Sequence, residues 1–511
     1  MIAAAPANFA ARLAGRLGTR SELLDAASGE RFTGLTATIE DFAASFAAAG
    51  LQRGDRVLIG CNLRPLSALA YLGAMFGGFT AVPVNENALA SAGAAVAHKT
   101  GARALWIERS AEADRISPGG LVRLVGRPPR AGAGARDAAA CAEHDLAALM
   151  ATSGSTGEPR FVKVTHGNLI ANTEAIIRSQ RLAPDERAML ILPVSYCFGA
   201  SVLHTHLYEG GSVVFDARFM FPDKVLRAMG EHRCTSFAGV PTAYQILLRR
   251  SNLRSIPLPT LRRFLQAGGA LSPASIRQIR EIVPRAGFFV MYGQTEATAR
   301  IASLPPERLE EKLGSVGVPL DNLTVRIVDA AGGEVAAGES GELWVSGGSI
   351  SPGYLDAPEE TRRKFRAGWL ATGDIAARDA DGYLWITGRK GEFVKVRGVR
   401  VGLAQIEATI AAVPGVLDCA AAGVPHAEAG EALALYVVAA EARADIAAAI
   451  RRRLPSEWTC DSITLVPELP RNAHGKLMRA RLAQLSASTA GADASAGAAQ
   501  RRALADEDSR P

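Results

Sequence analysis

The sequence predicts an α/β protein with a large N-terminal domain of α/β layers plus a β-rich subdomain, followed by a small C-terminal α/β domain. Three observations lead there. The chain has 511 residues, 48% of them apolar, which is more than one domain's worth of core. Between residues 36 and 85, helical and strand-like apolar patterns alternate, which argues for mostly parallel pairing. Residues 314–350 instead read as short strands and turns, and alternation resumes near the C-terminus.

The elements follow in order. The Ala-rich N-terminus is faintly amphipathic, lacks the charged-then-apolar layout of a signal peptide, and reads as a first helix. Thr36–Ala49 has helical apolar spacing with Gly50 as its stop. Arg56–Ile59 reads as a strand, Pro65–Phe76 as a helix with proline at its first position, and Thr80–Pro83 as a strand. Residues 126–142, rich in Pro, Gly and Ala, form a surface loop. Leu323–Val328 and Gly341–Gly347 are strand-like. In the last part Ile406–Ala412 and Ile446–Leu454 are helical, and Cys419–Val424 and Ala434–Val438 strand-like. Beyond Leu485 the composition predicts a disordered tail.

Composition excludes several classes. No apolar run reaches membrane-spanning length. The six cysteines are scattered without a C-x-x-C pair, which suits a reducing cytoplasm and offers no zinc site. The net charge of +6 is dispersed, and Arg451-Arg452-Arg453 reads as a solvated helix face, so no nucleic-acid partner is expected. His204 and His206 are two residues apart, which puts them on different faces of a helix and argues against a metal pair.

The stretch with most chemistry is Leu149–Leu169. Thr152, Ser153, Gly154, Ser155, Thr156 and Gly157 cannot pack a core, but their amides, hydroxyls and permissive glycines can wrap an anion. The other reading of these residues is a flexible hairpin. A Walker-type loop is excluded because Glu158, not lysine, follows Gly157. Further along come Leu192–Gly199 with Tyr196, Phe237–Thr242, Gln266–Ala270, Met291–Glu296, Gly368–Asp374, Gly388–Gly398 and Pro470–Arg479.

These runs, in this order from about residue 30 to about residue 480, resemble the adenylate-forming superfamily: acyl-CoA synthetases, aryl-acid ligases and peptide-synthetase adenylation domains. The resemblance implies an N-terminal adenylation domain over residues 1–388, a hinge at 389–391, a mobile C-terminal domain over 392–485 and a tail over 486–511. It implies ATP contacts from Thr152 to Gly157, from Gly268, Gly269 and Ala270 beside adenine, and from Tyr292 and Gly293. Thr295 would bond the α-phosphate, Glu296 would hold Mg²⁺, Asp374 at a strand-to-turn end would accept the ribose hydroxyls, Ile386 would lie in the nucleotide site, and Arg389 would contact ribose or phosphate. Lys476 would bridge carboxylate and α-phosphate. Lys395 and Gly398 belong to a loop that faces the site only in the thioester-forming state, and Gly391 is the hinge. The acid would lie against Tyr196, Gly199, Ala238 and Gly239; Tyr196 reads equally as a core aromatic. Arg300 has two readings, a partner for a polar or anionic substrate tail or a structural or exposed arginine.

The implied function is ATP-dependent activation of a carboxylic acid to an acyl-adenylate and transfer to the thiol of CoA. The alternative acceptor is the phosphopantetheine of an acyl carrier protein in trans, and a homodimer is the one assembly considered. In amino-acid-activating relatives an Asp pairs with the α-ammonium at the position of Gly199, so the acid is expected to be fatty, short acyl or aryl. Two departures from the pattern are Arg160-Phe161 for Lys-Gly and Gly391 for a charged hinge residue; they are the support for a rival reading, a nucleotide-binding protein without turnover.

Overall fold

Local chemistry sets where the helices start and how closely they pack in the computed structural model of the chain. The structure describes residues 6–109, 120–130, 137–153, 159–396, 399–426, 430–439, 445–455, 458–471 and 477–482. Helix Phe9–Ala14 opens at Asn8, whose Oδ1 accepts the Ala11 amide at 3.2 Å while its Nδ2 donates to the carbonyls of Met75 and Phe76. Those carbonyls end helix Pro65–Phe76, which has proline at N1 and is buried along its whole length, as its unbroken apolar sequence requires. Helix Leu35–Ala48 lies close to it: a Cβ built on Gly73 would stand 2.3 Å from the Cβ of Phe42. Helix His166–Gln180 starts at a capping box between Thr165 and Asn168.

By contact the chain divides into two units. The first comprises residues 1–270, 278–372 and 377–385. It holds a nine-stranded sheet in the order Val318–Pro319, Ala302–Leu304, Gly287–Tyr292, Arg263–Gln266, Ser236–Gly239, Arg187–Leu190, Ser212–Phe215, Leu23–Asp25, Arg31–Phe32. The six from Gly287–Tyr292 to Leu23–Asp25 are mutually parallel. A six-stranded sheet runs Val122–Val125, Ala104–Ile107, Arg56–Cys61, Thr80–Asn85, Leu146–Ser153, Pro159–Thr165, with only the last pair antiparallel. One large apolar core joins the helices of both sheets and includes Trp106, Tyr71, Tyr208, Phe215 and Phe42. The β-rich part is also present, with Leu323–Val328 antiparallel to Ser340–Gly347.

The second unit comprises residues 271–277, 373–376 and 386 onward. It carries the hairpin Phe393–Val396/Val399–Gly402 and a three-stranded sheet of Val416–His426, Gly430–Ala439 and Cys460–Leu465. Helices Leu403–Ala411 and Ile446–Arg453 pack on its own core of Ile406, Ile410, Leu433, Leu435, Val437 and Ile450. Among the described residues no helix is long and apolar enough to cross a membrane, and no cluster of His, Cys, Asp and Glu could hold a metal ion. His204 and His206 lie on helix Cys197–Tyr208, both buried in the core.

Candidate active site

Parallel strands deliver the motifs to one place. Arg187–Leu190, Ser236–Gly239, Arg263–Gln266 and Gly287–Tyr292 run side by side in the same sense, with Gly239 beside Gln266 and Gln266 beside Val290. Tyr196, Gly239, Gly268–Ala270 and Tyr292–Glu296 therefore all fall at or just beyond the carboxyl edge, and Arg300 sits in the link that returns into the antiparallel strand Ala302–Leu304. In open α/β sheets this edge is where ligands collect.

The link itself is tightly built. A Cβ at Gly293 would lie 1.8 Å from the Ala299 carbonyl oxygen, so only glycine lets the segment after Tyr292 fold back on itself. Thr295–Ala297 make one 3₁₀ turn, and Thr295 Oγ1 donates to Cys197 Sγ at 3.4 Å, tying the turn to the start of helix Cys197–Tyr208. Glu296 accepts the Tyr354 hydroxyl at 2.7 Å, and its carbonyl accepts the Ser351 amide at 3.0 Å. Burial first, then the Glu296 carboxylate, pushes the Tyr354 phenol upward, so it stays a donor. Thr298 then adopts φ 66°, ψ −59°, with Ala299 N–H bonded to Ala297 O at 2.8 Å. This is a γ-turn of the strained hand, on a β-branched residue, held by Thr298 Oγ1 donating to Ser349 O at 2.7 Å.

Tyr196 immediately precedes helix Cys197–Tyr208, and its phenol is raised chiefly by burial. A Cβ on Gly268, whose φ is +87°, would stand 3.1 Å from the Tyr196 hydroxyl oxygen, so the aromatic and the glycine-rich run adjoin. Arg300 is buried. Desolvation lowers its pKa to about 10, which still leaves it charged at neutral pH, and its guanidinium carbon lies 5.1 Å from the centre of the Phe198 ring.

Packing constrains two of the residues assigned to the acid. A Cβ at Gly199 would lie 2.3 Å from Pro193 O and 2.7 Å from Leu192 O. Backbone packing dictates glycine at 199, whatever the substrate. Gly239 is similarly crowded, its Cβ position being 3.0 Å from the Ala243 Cβ and 3.2 Å from the Tyr244 ring. Ala238 is buried within its strand.

Thr152 and Ser153 end strand Leu146–Ser153, which pairs in register with Pro159–Thr165, Ser153 opposite Pro159. Gly154, Ser155, Thr156 and Gly157, expected from the sequence to wrap an anion, lie outside the described residues. Arg160, the departure from the family's lysine, pairs with Glu360 at 2.6 Å.

In the second unit Asp374 lies inside the ten-residue strand Trp369–Arg378 rather than at a strand-to-turn end. Its Oδ1 is 3.4 Å from Arg389 Nε, at the end of the strand Leu384–Arg389 that also contains half-buried Ile386. Gly391 has φ +91° in the tight turn where Glu392 N donates to Arg389 O at 2.9 Å, and a Cβ there would meet nothing. Lys395 lies on strand Phe393–Val396; Gly398 and Lys476 lie outside the described residues. The described residues on either side, Arg471 and Arg479, are both held by carboxylates. Arg471 forms a two-pronged pair with Asp418 at 3.0 and 3.2 Å, and Arg479 forms one with Glu407 at 2.6 and 3.1 Å and reaches Glu392 at 3.2 Å. Arg471 also bridges Leu477, and Met478 N donates to Pro470 O at 2.8 Å. Both arginines stand in the motif read from the sequence, but their partners do not. Neither does Asn172, which holds the backbone of Arg300.

Comparison with known proteins identifies the family. The model of the "AMP-binding enzyme" family matches residues 25–355, and that of the "AMP-binding enzyme C-terminal domain" matches residues 405–476. Feruloyl-CoA synthase of an Amycolatopsis species is 35% identical over 448 residues, covering 84% of this chain and 89% of that one. Sulfoacetate–CoA ligase of Cupriavidus necator is 34% identical over 342 residues, 66% of each chain. The crystal structure of ATP-bound MatB from Rhodopseudomonas palustris superposes with a TM-score of 0.83 at 28% identity, over 93% of this chain and 98% of that one.

Proposed function

The chain belongs to the AMP-binding enzyme family, and from that premise we propose that it is an AMP-forming acid–thiol ligase, joining a carboxylic acid to coenzyme A through an acyl-adenylate. The observation that carries the reading is the gathering of Tyr196, Gly268, Tyr292, Thr295 and Glu296 along one carboxyl edge of a parallel sheet.

In the first half-reaction the acid's carboxylate oxygen attacks the α-phosphorus of ATP, and the bond to pyrophosphate breaks. Two anions must be brought together, so fixed donors and cations aimed at the growing charge do most of the work. Thr295 Oγ1 is the donor assigned to the α-phosphate, and Lys476 the cation that bridges carboxylate and phosphate. Asp374 is assigned to the ribose hydroxyls and Arg389 to ribose or phosphate; the two side chains lie 3.4 Å apart. Tyr292 is assigned to adenine stacking. Glu296, a hard oxygen donor oriented by the Tyr354 hydroxyl, fits one magnesium ion, which would neutralise phosphate charge. In the second half-reaction the thiol sulfur attacks the acyl carbon, loses its proton, and AMP leaves. Lys395 and Gly398 are assigned to that state, with Gly391 as the hinge.

The named acids of the relatives differ, so the acid of this chain has to be measured. The assay is release of AMP and pyrophosphate from ATP and magnesium over fatty, aryl, dicarboxylic and amino acids, with and without CoA. CoA-dependent AMP release with one acid class is the expected result. Pyrophosphate without a CoA thioester would make a carrier protein the acceptor. Silence across the panel from protein that still binds ATP would overturn the ligase reading.

A further inference from the structure

Among the described residues Arg300 is a buried cation without an anion. Its backbone is gripped on both sides by Asn172, whose Oδ1 accepts the Arg300 amide at 3.2 Å and whose Nδ2 donates to the Arg300 carbonyl at 2.9 Å. Asn172 also donates to Ser349 Oγ at 3.2 Å, and that hydroxyl accepts from Asn322 Nδ2 at 2.7 Å. Just upstream stands the strained γ-turn at Thr298, itself bonded to Ser349 O. The origin of the Arg300 side chain is thus fixed by a buried polar network.

The side chain has no comparable support. The residue is 2% exposed, its Nη1 is buried with no hydrogen-bond partner, and among the described residues it makes no ion pair. Partly buried arginines elsewhere in the first unit behave differently: Arg263 pairs with buried Glu186, and Arg160 with Glu360. Contact with the Phe198 ring compensates part of the lost hydration but satisfies none of the N–H groups. A guanidinium held this way is costly unless an acceptor arrives with the ligand. Its neighbours Tyr196, Cys197 and Phe198 are neutral, and they belong to the carboxyl edge where the acid is assigned.

We propose that Arg300 is the specificity-determining residue for the acid, and that it binds a second anionic group, a carboxylate or a sulfonate, at the end of the substrate away from the carboxyl that is activated. The proposal rests on the ligase reading above. The planar fork suits two-point pairing with an oxyanion, and its fixed root pre-orients it. An acid that lacks the second charge leaves the cation unpaired in a closed site, and sites of this kind discriminate strongly against the analogue with the missing polar group.

The test uses matched pairs. Straight-chain dicarboxylates, an aryl dicarboxylate and an ω-sulfocarboxylate are each compared with their singly charged ester or methyl-capped counterpart, by acid-dependent AMP release from the full chain. For at least one pair the doubly charged acid is expected to have a kcat/KM on the order of 10²-fold higher. Arg300→Met should abolish that preference through the KM for the acid while leaving the KM for ATP in place, and Arg300→Lys should restore part of it. The wild-type comparison stands even where a variant fails to fold, and the carboxylate and sulfonate arms tell which anion is taken. Robust turnover of capped monoacids with no preference for the second charge would overturn the proposal while the ligase reading stands. So would an Arg300→Met variant whose defect lies in the KM for ATP. No turnover with any acid, from folded protein that binds ATP, would overturn both.

Discussion

Removing the Arg479 guanidinium should loosen the second unit and with it the segment that presents Lys476. In the Arg479→Met variant the two bonds to Glu407 at 2.6 and 3.1 Å, the bond to Glu392 at 3.2 Å and the bond to the Ala421 carbonyl at 2.8 Å all vanish. Burial opposes the charge on Arg479, yet the Glu407 and Glu392 carboxylates more than offset it and hold its pKa above the usual value. The pair with Glu407 is neither a surface pair nor a dry one, the side chains being 25% and 19% exposed. Exposed pairs are worth about 0–1 kcal/mol, and breaking a fully buried one costs about 3–5 kcal/mol. An intermediate loss of about 2–3 kcal/mol is expected here, equivalent to roughly 10–15 °C in the unfolding of a unit of about 100 residues. Hydrogen exchange on the whole chain reads this directly, with earlier exchange at the core amides of Leu433, Leu435 and Val437. A double-mutant cycle with Glu407→Gln should return a coupling of about 1–2 kcal/mol. Exchange within about 0.5 kcal/mol of wild type, or strict additivity in the cycle, would show that the pair does not hold the flank of that segment.

Three further outcomes follow from the same structure. Lys476→Ala should slow adenylation by about 10²–10³-fold with ATP binding retained, read by pyrophosphate release and nucleotide titration; equal losses in both would remove Lys476 from the transition state. Gly391→Ala meets no steric obstacle but must hold φ +91°, so it should cost about 1 kcal/mol of stability and slow thioester formation several-fold more than adenylation. Equal slowing of the two half-reactions would count against the hinge. Stability should also fall in acid. Burial holds His166 and His206 at about 4 and His204 at about 3, below their unfolded value, so their contribution is complete above pH ~6.5 and is lost as pH drops toward 4. Denaturant midpoints that stay flat between pH 6.5 and 4.5, or a His204→Phe variant with an unchanged pH slope, would contradict this.

Much of the fold was legible because its signals are local. Helix Pro65–Phe76 and strand Leu323–Val328 lie where the sequence places them, the one set by an N1 proline and an unbroken apolar run, the other by strand-like patterning. Gly50, with φ +84°, ends its helix as expected. Element ends drifted where tertiary pairing extends a strand, as in Val416–His426 against the expected Cys419–Val424. The motifs at the sheet edge were legible as runs of residues but not as packing. No neighbour in sequence reveals that Gly199 faces the carbonyls of Leu192 and Pro193 or that Gly293 faces Ala299. Nor does sequence show that Arg160 pairs with Glu360, or that Asn172 holds Arg300 from 128 residues away. Asp374 was misplaced because a Thr-Gly-Asp run reads as a turn when isolated, whereas here it continues a strand of ten residues.

The second unit is not a simple C-terminal segment: it draws Gly373–Ala376 from within strand Trp369–Arg378, and the carbonyl of Gly373 accepts the amide of Lys390 at 2.7 Å. Anyone dissecting the protein should take this into account. A fragment begun at residue 386 would have an unpaired edge where those four residues belong, and the complementary fragment would keep a strand stretch whose partner had been cut away. Such halves invite aggregation at the cut edge. The covalent layout thus favours studying the two half-reactions by substitution in the intact chain, and a permutant or split version would need its break placed elsewhere.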